Sequence, residues 1–261
     1  MTKIVVLVKQ VPDTYSERKL SDADHTLDRA SADAVLDEIN EKAVEEALKI
    51  KEAGDGEVTA ISVGPDRATD AIRKALSMGV DKAIHVSDES LHGSDAIATA
   101  KVLAAAIGKV EGYDLIIAGN EASDGRAGAI PAILAETLGL PQLTYVRELT
   151  VDGGTVKASR ETDDGLTHLE ASLPALVSVT EKINEPRYPS FKGIMAAKKK
   201  PVETLTVADL GVDAGEVGLA NALSTVVEAA PKPPRQAGQR VEDEGEGGSK
   251  IAEYLVGQKL I

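Results

Sequence analysis

An open, mostly parallel doubly wound α/β sheet is the fold this sequence predicts, with an antiparallel meander set into it and an arm at the carboxyl end. Three observations predict it. Short continuous apolar runs, the pattern of strands buried on both faces, alternate with stretches of helical period. Strand–helix units of this kind recur in succession along the first half, which builds a parallel sheet through right-handed crossovers. Finally, the turns Asp152-Gly153-Gly154 and Asp163-Asp164-Gly165 join three strand-like runs, the mark of consecutive hairpins.

The elements follow in order. Lys3-Ile-Val-Val-Leu-Val-Lys9 is the first buried strand, ended by Pro12 and Asp13, and residues 13–33 read as a polar, irregular excursion. From about Asp37 to Glu52, Ile39, Ala43, Ala47 and Ile50 line one helical face, widened by Val44 and Leu48, while Glu38 and Lys42 form a favourable i,i+4 pair on the wet side. Gly54 stops that helix. Glu57–Val63 is the second strand, closed by Gly64-Pro65, and a helix through Ala71, Ile72, Ala75 and Leu76 ends at Gly79. Lys82–Val86 is the third strand, followed by a helix carrying Ile97, Val102, Leu103 and Ala106. Tyr113–Ala118 is the fourth, with its helix Ala129–Leu138 stopped by Gly139 and Pro141. The meander covers about 144–172, and Leu176–Val179 is one more buried strand. Asn184–Gly193 is too proline-rich for a strand, and a short helix runs from Ile194 to Lys200. The resulting division is a domain over 1–222 and, over 223–261, a flexible linker with a terminal arm. The linker is rich in Pro, Gly, Gln and charge from about Glu228 to Lys250; the tail regains an apolar face through Ile251, Leu255 and Leu260.

Composition excludes several classes. The 261 residues carry 29 Lys+Arg against 43 Asp+Glu, a net charge of −14, so a general nucleic-acid or anionic-membrane binder is not expected. No apolar run approaches the ~18 residues of a membrane span. Ile4 to Val8 is too short for a signal-peptide core, so the chain reads as cytoplasmic. With no cysteine there is no disulfide, thiolate metal site or cysteine nucleophile. One Phe, five Tyr and no Trp leave Val, Ile, Leu and Ala to build the core. Such acidity suits a salt-rich cytosol, where screening relieves self-repulsion, and suits a merely acidic chain equally.

A catalytic site of the chain's own is not expected. His25, His85, His92 and His168 fall in different elements with no ligand spacing, and no nucleophile elbow, P-loop lysine or zinc-helix motif is present. The binding signal lies instead at the carboxyl ends of the strands, where ligands of open parallel sheets collect. Three loops qualify: Lys9–Thr14, Val63-Gly64-Pro65, where a strand runs directly onto a helix start, and Gly119-Asn-Glu-Ala-Ser-Asp-Gly125-Arg-Ala-Gly128. In the third, glycines allow close approach of a phosphate, Arg126 adds a fixed charge, and Ser123 or Asp124 can cap the next helix or accept from a ribose. An ordinary helix-capping loop is the other reading. Pro186 and Pro189 stiffen the segment around Phe191, which is either a core anchor or an exposed hot spot; Lys198–Lys200 suit a helix end.

Asn184-Glu-Pro-Arg-Tyr188, Ile194-Met-Ala-Ala-Lys-Lys-Lys-Pro201 and Ala208-Asp-Leu-Gly-Val-Asp213 together resemble the signature stretch of the β subunit of electron-transfer flavoprotein. Val8–Asp13, Ala43–Ala47, Val63–Pro65, Ala75–Gly79 and Gly119–Gly125 match in order, so the resemblance covers about residues 3–213. It implies a Rossmann-like, adenine-nucleotide-binding fold in a heterodimer whose α subunit holds most of an FAD. The β subunit would bury an AMP, or a second FAD in electron-bifurcating members. Nucleotide contacts would fall on Leu7, Lys9, Asp37, Glu38, Ile39, Asn40, Val63, Gly119, Asn120, Glu121, Ala122, Ser123, Asp124, Gly125, Arg126, Ala127, Gly128, Ala129 and Ile130, with Thr14 near the flavin. The recognition loop at 184–200 would offer Arg187, Tyr188, Phe191, Ile194 and Met195 to flavin dehydrogenases such as acyl-CoA dehydrogenases, with a quinone oxidoreductase as onward acceptor. Phe191 stands where the family usually has Leu, and Asp37-Glu-Ile-Asn40 departs from the family's Asn-Pro-Phe pattern. A stand-alone adenine-nucleotide-binding stress-type protein is the rival expectation.

Overall fold

The computed structural model of the chain describes residues 1–235, 238 and 240–261. Gln236, Ala237 and Gln239, within the expected linker, lie outside the described residues. In chain order the elements are β1 (Thr2–Leu7), β2 (Gln10–Pro12), β3 (Ala34–Leu36), α1 (Glu38–Ala53), β4 (Gly56–Val63), α2 (Thr69–Met78), β5 (Lys82–Val86), α3 (Ala96–Ile107), β6 (Leu115–Gly119), α4 (Ile130–Leu138), β7 (Gln142–Asp152), β8 (Thr155–Thr162), β9 (Gly165–Ser172), β10 (Ala175–Val179), α5 (Phe191–Ala197), β11 (Val202–Leu205) and α6 (Gly247–Gly257).

Nine of the strands form one sheet in the order β11-β5-β4-β1-β6-β10-β7-β8-β9. Pairings from β11 through β7 are parallel; β7, β8 and β9 pair antiparallel, so β7 belongs both to the parallel sheet and to the meander. The continuous apolar runs are explained by two covered faces. Ile4, Val6, Val58, Ala60, Leu115 and Ile117 pack with α1 and α2, whereas Val5, Ile61 and Ile116 pack with α3 and α4. Burying one Val, Leu or Ile side chain stabilises by about 1.5–3 kcal/mol, so these two layers dominate stability.

The structure departs from the sequence reading at several places. A 3₁₀ turn, Asp66–Ala68, separates β4 from α2, so that strand does not run directly onto a helix. The fourth expected strand starts at Leu115 and ends at Gly119, two residues later than its predicted start. Helix α5 begins three residues earlier than expected because the Ser190 hydroxyl accepts the Gly193 amide at 3.1 Å as its cap; it ends at Ala197, so the three lysines lie beyond it. Strand β11, with only two apolar residues on a sheet edge, gave no sequence signal. The excursion over 13–33 is closed at its base by the small antiparallel ladder of β2 with β3.

The chain forms two units, residues 1–227 and 228–261. The second holds α6, with Ile251, Tyr254 and Val256 exposed; before it, the Asp243 carboxylate accepts the Gly247 amide at 2.7 Å. No helix among the described residues is long and apolar enough to cross a membrane.

Candidate functional site

Strands β1 and β6 are neighbours, yet β4 and β5, which follow β1 in the parallel sheet, lie on one side and β7 to β10, which follow β6, lie on the other. Such a reversal opens a crevice at the carboxyl ends, the preferred ligand position of doubly wound sheets. Here the loops leaving the two strands are tied together. The Lys9 ammonium reaches the Asp124 carboxylate at 2.8 Å, and the Arg29 guanidinium reaches the same oxygen at 2.6 Å. The Asp124 side chain is only 3% exposed. Burial works against its charge, but the Lys9 ammonium and the hydrogen-bonded Arg29 guanidinium outweigh it and hold the carboxyl below the usual carboxylate range. The Arg67 guanidinium in turn donates to the carbonyls of Arg29 (2.8 Å) and Ala32 (3.3 Å), which fixes the far end of the excursion to the same rim.

Asp37 organises the second half of the rim. It is fully buried, and its Oδ1 accepts the amides of Ile39 (3.0 Å) and Asn40 (3.1 Å), capping α1. Its Oδ2 accepts the Ser123 amide at 2.7 Å, and its own amide donates to the Lys9 carbonyl at 3.0 Å. Asp37 therefore joins the start of α1 to the loop after β1 through its main-chain amide and to the loop after β6 through its carboxylate. Gly119 permits this closeness: a Cβ there would stand 2.6 Å from Asn40 Nδ2 and 3.0 Å from Ile39 Cγ2.

The loop after β6 does not cap the next helix. No side chain among the described residues caps α4, and Pro131 stands in its first turn. Asp124 is drawn away by the two cations and Ser123 by Asp37, which overturns the helix-capping expectation for both. What remains is an unfilled hydrogen-bonding set: the Asn120 Oδ1 and Ser123 Oγ atoms are buried without partners among the described residues. Gly128, at φ +63°, turns the chain into α4 where a Cβ would meet the Tyr145 hydroxyl at 2.9 Å. Arg126 is exposed, in a left-handed conformation (φ 51°), with Glu121 at 3.4 Å. Beside it opens a cavity of about 370 Å³, lined by Ile39, Asn120, Arg126, Tyr145, Thr180 and Lys182 together with four acidic residues, Glu121, Glu161, Asp163 and Glu181.

The predicted rim residues thus meet. Leu7 and Val63 end β1 and β4, Lys9 lies just past β1, residues Asp37 to Asn40 open α1, and Gly119 to Ile130 form the loop into α4. Thr14 stands apart and exposed in the excursion beside the exposed Tyr15. Arg29, Arg67 and Tyr145 were missed. Arg29 lies in the excursion and Arg67 in the 3₁₀ turn after β4, segments where no sequence signal reveals what a long cation reaches.

The segment 184–200 occupies a different place, against α1 and α2. Tyr188 and Phe191 are 94% and 80% exposed, and Ile194 and Met195 about half. Of the two sequence readings of Phe191, the core anchor is therefore excluded. Arg187 faces inward: its Nε and Nη2 donate to Glu45 at 2.8 and 3.1 Å, and its Nη1 and Nη2 to Glu52 at 2.5 and 3.0 Å. Hydrogen bonding to those carboxylates raises its pKa and lowers that of Glu52.

The fold is a doubly wound α/β sheet whose loops gather into a polar cradle at the strand reversal, the place where sheets of this class hold ligands. Comparison with known proteins is more specific. Residues 24–210 match the electron transfer flavoprotein domain model. The chain is 64% identical, over all of both chains, to the electron transfer flavoprotein subunit beta of Mycobacterium bovis, and 63% identical to that of Mycobacterium leprae over the same span. The Megasphaera elsdenii subunit beta is 37% identical over 99% of this chain and all of its own. The chain belongs to the electron transfer flavoprotein family, as a β subunit.

Proposed function

We propose that this chain pairs with an α subunit to form an electron carrier, holding an AMP on the rim between β1 and β6 and supplying one wall for an FAD held mostly by the partner. Electrons would come from flavin dehydrogenases, acyl-CoA dehydrogenases among them, through the 184–200 surface, and leave toward a quinone-linked oxidoreductase. The observation that carries the nucleotide reading is the partnerless pair Asn120 Oδ1 and Ser123 Oγ beside the uncapped start of α4, with Lys9 and Arg29 adding two cations to the single carboxylate of Asp124. Those groups fit the polar edge and phosphate of an adenylate. FAD, when bound, supplies the redox chemistry. The chain's own residues bind and orient: Asp37 fixes the cradle's two loops, Gly119 and Gly128 keep side chains out of it, and Thr14 and Tyr15 stand exposed on the excursion toward a second polypeptide. The carrier works in the cytoplasm, without inserting in a membrane.

Co-expression with the α subunit from the same genome tests this. The expected product is a yellow heterodimer carrying FAD and, by mass spectrometry of the released nucleotides, one AMP; the chain made alone carries no flavin. Arg126→Ala lowers AMP retention. A second FAD in place of AMP would mark a bifurcating carrier. A colourless monomer with no adenylate and no affinity for the α subunit refutes the proposal.

A further inference from the structure

The exposed aromatic surface over 184–200 is held at both ends by polar contacts. At its start, the Lys42 ammonium donates to the Asn184 carbonyl at 2.7 Å, and the Asn184 amide donates to the Lys42 carbonyl (3.0 Å) and to Glu46 (2.9 Å). The Arg187 main-chain amide adds a bond to Glu45 at 3.1 Å. At its end, the Arg73 guanidinium donates to the carbonyls of Ala197 (2.7 Å) and Lys200 (2.9 Å). The Lys200 ammonium donates back to the carbonyls of Leu76 (3.0 Å) and Val80 (2.5 Å), at and just beyond the end of α2. Between these fastenings, Gly193 lies so close to α2 that a Cβ would fall 2.4 Å from the Ser77 carbonyl oxygen. Glu45 and Glu46, both buried, flank the apolar face of α1, where an acid calls for partners: Glu45 has Arg187, and Glu46 has Asn184 and, at 3.6 Å, Lys49.

We propose that Arg187 is a positioning residue, whose guanidinium, clamped between Glu45 and Glu52 of α1, sets the pose in which Phe191 and its neighbours meet a flavin dehydrogenase. The inference rests on the docking role proposed for this surface. Its logic is preorganisation. A segment with two prolines, bonded at both ends, has little conformational freedom left to lose on docking, so Phe191 is presented ready for a pocket. The alternative is that Arg187 touches the dehydrogenase itself. The two differ in what Glu52 does, because Glu52 holds Arg187 under the clamp and competes for it under direct contact.

The test uses the intact heterodimer as acceptor for a purified acyl-CoA dehydrogenase reduced by its acyl-CoA substrate. It compares kcat and KM for Phe191→Ala, Arg187→Gln, Arg187→Lys, Glu52→Gln and the Arg187→Gln/Glu52→Gln pair. The clamp predicts a KM increase of about tenfold for Arg187→Gln and about threefold for Glu52→Gln, with kcat, FAD and adenylate content unchanged. It further predicts that the double variant is no worse than Arg187→Gln, and that Arg187→Lys, which lacks the planar fork, recovers only part of the loss. A Glu52→Gln carrier whose KM is unchanged or lower overturns the clamp; Glu52 is over half exposed, so this arm stands even if Arg187→Gln fails to fold. If Phe191→Ala leaves KM unmoved, the docking role fails and the clamp falls with it. If Phe191→Ala acts and Glu52→Gln does not, the clamp alone is refuted.

Discussion

Replacing Asp37 with Ala strips an acceptor from three amides at once. Two of them, Ile39 and Asn40, are the first-turn donors of α1, and losing a helix cap costs about 1 kcal/mol. The third, the Ser123 amide, comes from a buried residue of the loop after β6, and leaving it unpaired costs about 1–3 kcal/mol more. The sum is about 3 kcal/mol. For a folded unit of this size, each kcal/mol lowers Tm by about 2–4 °C, so the expected drop is about 6–12 °C. Asp37→Asn separates the two contributions. Its carbonyl oxygen can keep the cap on α1, while its amide nitrogen then faces the Ser123 N–H donor to donor, so the drop should be roughly half. Thermal unfolding followed by circular dichroism, on matched preparations of the three proteins, measures both. A fall under about 2 °C for the Ala variant would show that the rim is not held through Asp37. An Asn variant as unstable as the Ala one would show that the bridge to Ser123, and not the helix cap, carries the effect.

Asp124 gives the rim a pH dependence of known sign. Its carboxyl titrates below the ordinary carboxylate value in the folded protein, so its stabilisation is complete above that ordinary value and is lost as pH falls through the depressed one. Tm recorded from about pH 7 to pH 3 should show an acid-side decline that flattens in Asp124→Asn; identical profiles would remove the Lys9–Asp124–Arg29 link from the energetics. Gly128→Ala forces a Cβ onto a left-handed backbone, at about 1–2 kcal/mol, and against the Tyr145 hydroxyl. It should lower the adenylate recovered per heterodimer while leaving the sheet's circular dichroism intact, and full retention of adenylate would show that the loop tolerates the shift.

The sheet was legible because burial on two faces leaves a continuous apolar run, as in Ile4–Val8, that no surface element needs. The turns Asp152–Gly154 and Asp163–Gly165 announced the meander through their own local chemistry. The rim was legible through glycines at positions of close approach, Gly119 and Gly128. Strand order was not: β10 enters between β6 and β7, a choice made by packing over many residues that leaves no mark on any one of them. Nor were the partners of long polar side chains. Arg29 finds Asp124 across 95 residues of sequence, and Arg187 finds Glu45 across 142, so only the folded chain reveals the pairs. In Glu45 and Glu46 a hint existed, two adjacent acids bordering the apolar face of α1, a placement that calls for partners once buried.

These polar fastenings follow from composition. With aromatics at 2% of the chain, the loops have few large apolar groups to anchor them, so they are fixed by cations instead: Lys9 and Arg29 on Asp124, Arg67 on two carbonyls, Arg73 on two more, Arg187 on Glu45 and Glu52. The strong net negative charge then has two opposed consequences in salt. Screening relieves repulsion across the whole surface but weakens any exposed ion pair, and an exposed pair is worth only about 0–1 kcal/mol to begin with. The fastenings on Asp124 and Glu45 escape this because the carboxylate is the sheltered member: the Asp124 side chain is 3% exposed and that of Glu45 7%, whereas Glu52 is over half exposed. Breaking such a pair leaves a buried charge without a partner, which costs far more than a surface contact returns. Salt therefore relieves the surface of this chain without releasing the loops that form its rim and its docking segment, whereas charge-removing substitutions at Lys9, Arg29 or Arg187 release them directly.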